Sequence, residues 1–197
     1  MNRWLVVMAK QPRAGRVKSR LARDVGAVEA TRFYRVTLQR LIRRLGRDRR
    51  WTTVLAVSPD SAAGDPVWPR GVPVIGQGEG DIGDRMQAVM DRLPPGPATI
   101  VGSDIPGIEP GHVADAFHKL GRHDVVFGPA TDGGYWLAGL RRRPRVPRLF
   151  DAVRWSTKHA LKDTLRNCGA LSVGFAATLS DVDDVGDWRR WRRGDPR

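Results

Sequence analysis

Cysteine and long apolar runs are scarce in this 197-residue sequence. The single cysteine, Cys168, cannot form an internal disulfide, which favours a reducing compartment. An apolar run at residues 4–8 is too short for a signal peptide or a membrane span, and no other segment approaches membrane length. We therefore expect a soluble, cytoplasmic protein whose first buried strand lies in this run.

Several familiar catalytic and metal-binding motifs are also missing. The four histidines do not have metal-ligand spacing, and the sequence contains neither H-E-x-x-H nor a pair of cysteines. There is no G-x-S-x-G motif, which a serine hydrolase of the common kind would need. The glycine and lysine spacing of a Walker phosphate-binding loop is absent as well.

Positive charge is abundant, and almost all of it comes from arginine. The formal net charge is +13, and only five of the 34 basic side chains are lysines. The arginines are scattered along the chain instead of forming one block. Such a charge suits a nucleic acid or a phosphorylated small molecule, and composition leaves both alternatives open.

Short β-branched apolar runs alternate with helical stretches, and no linker or repeat divides them. This pattern predicts an α/β fold with three α/β/α layers and a mostly parallel central sheet, in one domain over residues 1–197. Predicted strands cover residues 4–8, 52–57, 72–75, 99–101, 125–127, 136–138 and 171–175. Predicted helices cover residues 28–45, 84–93, 110–120, 157–168 and 185–193, with another beginning at the end of the first loop.

A basic loop follows the first predicted strand. Five cations lie within the eleven residues from Lys10 to Arg20, together with a proline and a glycine. Ligands of open sheets gather at the carboxyl ends of strands, so this position favours phosphate binding over a solvated basic turn. The predicted phosphate-binding positions are Lys10, Arg13, Gly15, Lys18 and Arg20.

A glycine-rich loop follows the third predicted strand and contains a literal G-x-G-x-x-G. Three neighbouring carboxylates would repel a pyrophosphate, so a dinucleotide site is disfavoured. A loop that contacts a base or a ribose is the preferred interpretation, and a tight turn without a ligand is the alternative. The predicted nucleotide-binding positions are Gln77, Gly78, Gly80, Asp81 and Arg85.

Two acidic segments are candidates for a cation site. Asp104 ends the fourth predicted strand, where one carboxylate could hold a magnesium ion, although it could also cap the next helix. Asp181 and Asp183 lie on one side of the chain if it is extended. They could complete the cation site or cap the last helix, and both interpretations stay open.

The segment after the fifth predicted strand combines a carboxylate, two glycines and two aromatic residues. We expect it to bind a sugar or a small acceptor, with Asp132 accepting hydrogen bonds from hydroxyls or serving as a base. Core packing is the alternative role of Tyr135. Ser156 is also expected to cap a helix. The predicted acceptor or sugar-binding positions are Asp132, Gly133, Gly134, Tyr135, Trp155 and Ser156.

Taken in order, these motifs resemble the DUF2064 family of glycosyltransferase A-like proteins, over about residues 4–188. Some members are known as radical-SAM/selenodomain-associated or arsenosugar-biosynthesis transferases. The resemblance implies a nucleotide-diphospho-sugar transferase (GT-A) fold, with Asp104 holding a metal beneath the diphosphate. The first loop also resembles that of 2-phospholactate guanylyltransferases, in which a late Asp-x-Asp joins the metal site, and this implies a metal role for Asp183.

The preferred functional hypothesis is a glycosyltransferase that depends on Mg²⁺ or Mn²⁺ and transfers sugar from a nucleotide diphosphate to a small-molecule acceptor. Asp132, Asp104 and Lys18 are its predicted catalytic residues, and Asp104 and Asp183 its predicted metal ligands. One Asp replaces the D-x-D of classical glycosyltransferases. This departure keeps open a nucleotidyltransferase that joins an NTP to a phosphorylated small molecule. A non-catalytic binder of nucleic acid or other anions is the less favoured third hypothesis.

Overall fold

A computed structural model describes residues 2–193 and contains one seven-stranded sheet. The strands are β1 (Trp4–Lys10), β2 (Thr52–Ser58), β3 (Val74–Gly76), β4 (Ala98–Gly102), β5 (Val125–Pro129), β6 (Tyr135–Leu140) and β7 (Val173–Phe175). Their order across the sheet is β3-β2-β1-β4-β6-β5-β7. The α/β class and the mostly parallel sheet expected from the sequence are confirmed.

In the described part of the chain, six α-helices connect or flank these strands. They are α1 (Ser19–Val25), α2 (Ala27–Gly46), α3 (Ile82–Arg92), α4 (Pro110–Lys119), α5 (Ala160–Asn167) and α6 (Val185–Arg193). Within residues 2–193, none of the helices is both long enough and apolar enough to cross a bilayer.

Helices cover both faces of the sheet. Successive side chains of the central strand β1 point to opposite faces and are buried under these helices. Leu5 and Val7 of β1 pack in the core formed with α2 and α4. Val6 and Met8 point the other way, into the core formed with α3 and α5. Fully buried on both faces, β1 therefore reads as a continuous apolar run in the sequence.

Strand direction brings several loops to one edge of the sheet. β1 pairs in parallel with β2 and β4, and β2 pairs in parallel with β3. β6 runs antiparallel to both β4 and β5, so β5 points the same way as β4, and β7 is parallel to β5. The segments that follow β1, β3, β4, β5 and β7 consequently leave from the same edge.

A smaller core fixes the last helix beside this edge. Val182 packs with Leu21 and Phe33, which lie on α1 and α2. The ring of Trp191 meets that of Phe33 edge to face, with 5.0 Å between centroids. The C-terminal tryptophans thus pack on the protein, and this contact holds the preceding acidic segment close to α1.

Two helix starts differ from the sequence prediction by more than one residue. α3 begins two residues earlier than expected, since Asp81 and Asp84 form a capping box there. The prediction that Ser156 caps a helix is wrong: Ser156 has a φ of 59° and α5 starts only at Ala160. The intervening residues form a turn in which the Thr157 hydroxyl accepts a hydrogen bond from the His159 amide.

Candidate active site

Lys18 lies at the centre of the edge where the loops converge. Its ammonium donates to Asp104 Oδ2 at 2.9 Å and to Asp183 Oδ1 at 2.8 Å. The side chain is only 5% exposed, and its backbone is left-handed, with a φ of 49°, directly before α1. Residues from the first loop, the end of β4 and the C-terminal segment therefore meet at one nitrogen atom.

The environment keeps Lys18 charged. Burial by itself lowers the pKa of the Lys18 ammonium, but the charges of Asp104 and Asp183 outweigh that effect and raise the pKa above its ordinary value. Lys18 is therefore a cation at neutral pH. It compensates two carboxylates that would otherwise repel each other.

Neither partner of Lys18 serves as a helix cap. α4 begins after Glu109, whose side chain forms a capping box with His112, well beyond Asp104. At the start of α6, the Asp184 carboxylate accepts a hydrogen bond from the Asp187 amide. Asp184 thus takes the capping role considered for Asp183, which instead faces Lys18.

Two further carboxylates, those of Asp181 and Asp132, lie near Asp104 and Asp183. Burial, with added repulsion from Asp183, Asp104 and Asp132, raises the pKa of Asp181 to about 6. Among the described residues, no three His, Cys, Asp or Glu side chains form a ready metal site. The Lys18 ammonium is the cation that Asp104 and Asp183 share in this structure.

Tyr34 is a residue of the site that the sequence does not reveal. Its hydroxyl lies 2.9 Å from Ser103 Oγ and accepts a hydrogen bond from the Lys10 amide, also at 2.9 Å. Burial raises the pKa of this phenol. Tyr34 therefore ties the ends of β1 and β4 to α2. In the sequence it is one more apolar position of an amphipathic helix, so no signal distinguishes it.

A basic chamber of about 510 Å³ opens next to Lys18. It is lined by five cations: Lys10, Arg16, Lys18, Arg20 and Arg85. Arg16 belongs to the basic loop but was not among the predicted positions, whereas Arg13 and Gly15 do not line the chamber. The concentration of positive charge suits a diphosphate or a triphosphate.

The glycine-rich loop mostly uses its polar groups for its own structure. The Gly78 amide donates to both oxygens of Asp60, and Asp81 caps α3. Gly78, Gly80 and Asp81 do not line the basic chamber, and their contact with a nucleotide stays a prediction.

Gln77 and Arg85, by contrast, do line the chamber. The side-chain nitrogen of Gln77 donates to the carbonyls of Ala9 and Ala56, and among the described residues no hydrogen bond engages its side-chain oxygen. The sequence does not predict that these two carbonyls accept hydrogen bonds from Gln77, because the contacts depend on the packing of neighbouring strands.

A second, aromatic chamber of about 330 Å³ adjoins the basic one, and Asp104, Asp132 and Ser156 line both. Of the predicted acceptor positions, the aromatic chamber contains Asp132, Gly134, Tyr135, Trp155 and Ser156.

Gly133 lies outside both chambers. Its φ is +87°, and a side chain there would collide with the Lys158 backbone. The contact of Gly133 with a substrate stays a prediction. Its role is to let the loop after β5 approach the segment that precedes α5.

The model of one bacterial family, described as uncharacterized protein conserved in bacteria (DUF2064), matches residues 41–157. This chain belongs to the DUF2064 family. No curated protein matches the chain. The match to the family model confirms the resemblance to DUF2064 that the sequence motifs indicate.

Solved structures support the nucleotide-diphospho-sugar transferase fold of this DUF2064 chain. A Desulfovibrio desulfuricans G20 protein, provisionally described as a nucleotide-diphospho-sugar transferase, is 28% identical, with a TM-score of 0.90 over 99% of this chain and 88% of that one. CMP:2-keto-3-deoxy-manno-octonic acid synthetase bound to CTP is 14% identical, with a TM-score of 0.62 over 98% of each chain. The manganese complex of Mycobacterium tuberculosis H37Rv Rv0371c is 16% identical, with a TM-score of 0.57 over 96% of this chain and 97% of that one.

Proposed function

We propose that this DUF2064 protein is a divalent-metal-dependent glycosyltransferase that uses a nucleotide-diphosphate sugar as donor. The observation that carries the proposal is the position of Lys18 between Asp104 and Asp183, at the junction of a basic and an aromatic chamber. Such a junction can hold a diphosphate on one side and the group that receives the sugar on the other.

The carboxylates at this junction fit a hard divalent cation such as Mg²⁺ or Mn²⁺. Asp104 and Asp183 already share one cation, the Lys18 ammonium, and their side chains are 37% and 38% exposed. Carboxylate oxygens with access to water and to phosphate oxygens are the ligands that magnesium prefers. These two residues would hold the ion, which would stabilise negative charge on the departing diphosphate.

The cations of the basic chamber would bind and orient the donor. Lys10 ends β1 and Arg85 lies on α3, which follows β3, so the two reach the chamber from different segments at the same edge of the sheet. Their charges, with those of the basic loop, match the charge of a diphosphate without requiring a proton transfer. Because Lys18 contacts both metal ligands, it links phosphate binding to the cation site.

Asp132 is the group that would receive a proton from the acceptor. Its Oδ1 atom accepts a hydrogen bond from the Gly134 amide at 2.8 Å, which orients the carboxylate. Among the described residues, hydrogen bonds engage only this oxygen, and Oδ2 is left for a hydroxyl. A carboxylate that lines both chambers is well placed for this role.

A nucleotidyltransferase is the second candidate, favoured by the number of cations. Five basic side chains and three carboxylates line one chamber, and together with a divalent cation this charge would match that of a triphosphate. The fold similarity to a synthetase bound to CTP supports the same candidate. The two activities differ in their products, because only nucleotidyl transfer from an NTP releases pyrophosphate.

A thermal-shift screen of nucleotides and nucleotide sugars, with Mg²⁺ or Mn²⁺, tests the proposal. A ligand held by the cation site raises the melting temperature of the native protein but not that of Asp104→Asn. Asp115→Asn is the matched control, since Asp115 pairs with Lys119 on the outside of α4. If no nucleotide stabilises the protein, or if the Asp104→Asn variant responds normally, the proposal fails.

The charge of +13 calls for a second arm of this experiment. DNA or RNA affinity that falls with salt and survives Asp104→Asn, in the absence of nucleotide binding, would instead support a nucleic-acid binder. Product analysis then separates the two transferases by the presence of pyrophosphate.

A further inference from the structure

We propose that the aromatic chamber binds an acceptor with an apolar body, one reacting hydroxyl and no phosphate. The inference rests on the proposed function, in which the donor phosphates occupy the basic chamber. It adds the chemical class of the second substrate, which neither the family nor the similar structures specify.

The walls of the aromatic chamber are mainly apolar. They come from β1, α3, β4, β6 and the start of α5. The apolar lining side chains include Met8, Ile82, Met86, Ile100, Tyr135 and Trp155. The rings of Tyr135 and Trp155 meet at 73° with 6.2 Å between centroids and form a corner. Such a surface binds a flat or aliphatic body through apolar contact, because it offers few groups to pair with many hydroxyls.

Charge separates the two chambers sharply. Within the described residues, the lining of the aromatic chamber contains no lysine, arginine or histidine, but it contains Asp104, Asp132 and Asp181. The basic chamber is lined by five cations, which outnumber its three carboxylates, Asp104, Asp132 and Asp183. An acceptor that carries a phosphate would meet Asp132 and Asp181, neither of which has an ion-pair partner among the described residues, and its desolvation would cost free energy. An uncharged acceptor avoids this repulsion.

The polar end of the acceptor would lie where the chambers join. Asp132 and Ser156 line both chambers, so a hydroxyl held there faces the donor. In the reaction, the acceptor oxygen bonds to the anomeric carbon of the sugar as the bond from that carbon to the diphosphate oxygen breaks. The diphosphate leaves with the electron pair, and the hydroxyl proton passes to Asp132 Oδ2. Atoms and charges therefore balance without another reactant.

A matched pair of probes tests this assignment. Isothermal titration calorimetry would compare benzyl alcohol with benzyl phosphate on the full chain, in the presence of Mn²⁺ and saturating UDP. UDP occupies the donor chamber, so a phosphate cannot bind there instead. We expect the alcohol to bind at least about tenfold more tightly than the phosphate ester, because only the ester carries a negative charge that Asp132 and Asp181 repel. Equal or tighter binding of the ester would overturn the proposal.

Two variants and one control variant test whether the alcohol binds in the aromatic chamber. Ala160→Leu adds bulk to the chamber wall and should abolish alcohol binding, whereas Ala27→Leu, at the exposed first residue of α2, should not. Asp132→Asn keeps the size of the side chain. It should lower the ratio of alcohol affinity to ester affinity by about fivefold, because one repulsive charge is lost. An unchanged preference in Asp132→Asn, or unchanged alcohol binding in a folded Ala160→Leu, would contradict the proposal.

Failure of this inference is distinguishable from failure of the proposed function. A melting-temperature increase by UDP and Mn²⁺ depends on the basic chamber and on Asp104, not on the apolar wall. If that increase persists while the ester is preferred, the donor assignment stands and only the acceptor class is wrong. If neither UDP nor any other nucleoside diphosphate gives this increase, the donor assignment itself fails.

Discussion

Replacing Lys18 with methionine removes the cation on which the candidate site depends while keeping an unbranched apolar stem. The Lys18 side chain is 5% exposed and its ammonium contacts Asp104 at 2.9 Å and Asp183 at 2.8 Å. In the variant, both carboxylates lose their shared counter-ion and repel each other. The folded state therefore becomes less stable, and its affinity for any other cation increases.

The size of the loss follows from the exposure of the two carboxylates. Removing one partner of a fully buried ion pair costs about 3–5 kcal/mol. Asp104 and Asp183 are more than one third exposed, so water solvates the abandoned charges. We expect a cost of about 1–2 kcal/mol after this solvation, which lowers the melting temperature of a chain of this size by about 2–8 °C.

Thermal unfolding with and without Mn²⁺ measures both effects. We expect Mn²⁺ to raise the melting temperature of Lys18→Met more than that of the native protein, because the ion no longer competes with an ammonium. A nucleoside diphosphate should add less stability to the variant, since a phosphate-binding charge is lost. The two ligands thus change in opposite directions.

Lys119→Met is the matched control. Lys119 pairs with Asp115 on the surface of α4, and exposed pairs of this kind contribute about 0.2–1 kcal/mol. Its response to Mn²⁺ should equal that of the native protein. The reasoning would be refuted if Lys18→Met were as stable as the native protein and gained no more from Mn²⁺ than Lys119→Met does.

Three further predictions concern groups around the site and the core. Burial raises the pKa of the Cys168 thiol to about 11, so its reaction with a disulfide reagent at pH 8 should be at least about 100-fold slower in the native protein than in urea. Arg154 holds the pKa of Asp163 well below its usual range. The stability from this pair is present above pH of about 4 and is lost as the pH falls further. Acid-unfolding curves of Asp163→Asn should therefore depend less on pH than those of the native protein, and parallel curves would contradict this. Tyr34→Phe removes the hydroxyl that joins β1 to Ser103 and should cost about 1–2 kcal/mol in urea unfolding, with weaker nucleotide binding; an unchanged midpoint would argue against that link.

Local patterns in the sequence were sufficient for the main elements of the fold. The β-branched runs predict all seven strands to within a few residues, because alternation and burial are properties of neighbouring positions. The parallel direction of most strands also follows, since a helix between two strands allows a parallel connection, but the antiparallel direction of β6 does not follow from these patterns. From this, a sequence reader can place the basic loop and Asp104 at the same edge of the sheet.

Local patterns were less reliable where the same residues are compatible with two different structural roles. The glycine-rich loop has the spacing of a ligand-binding turn, yet Asp60 and the Asp81 capping box use its polar groups internally. Ser156 has the composition of a helix cap, but its left-handed backbone belongs to a turn. The partners that decide each case come from elsewhere in the fold.

The sequence by itself determined which residue types stand at the strand ends, and therefore the charge of the candidate site. Only the tertiary structure decided which of them meet. Lys18 is 86 residues from Asp104 and 165 from Asp183, and Tyr34 reaches Ser103 across 69 positions. Contacts at such separations depend on strand order and on the packing of α1, α2 and α6, which are set by the free energy of the whole core and not by any local preference.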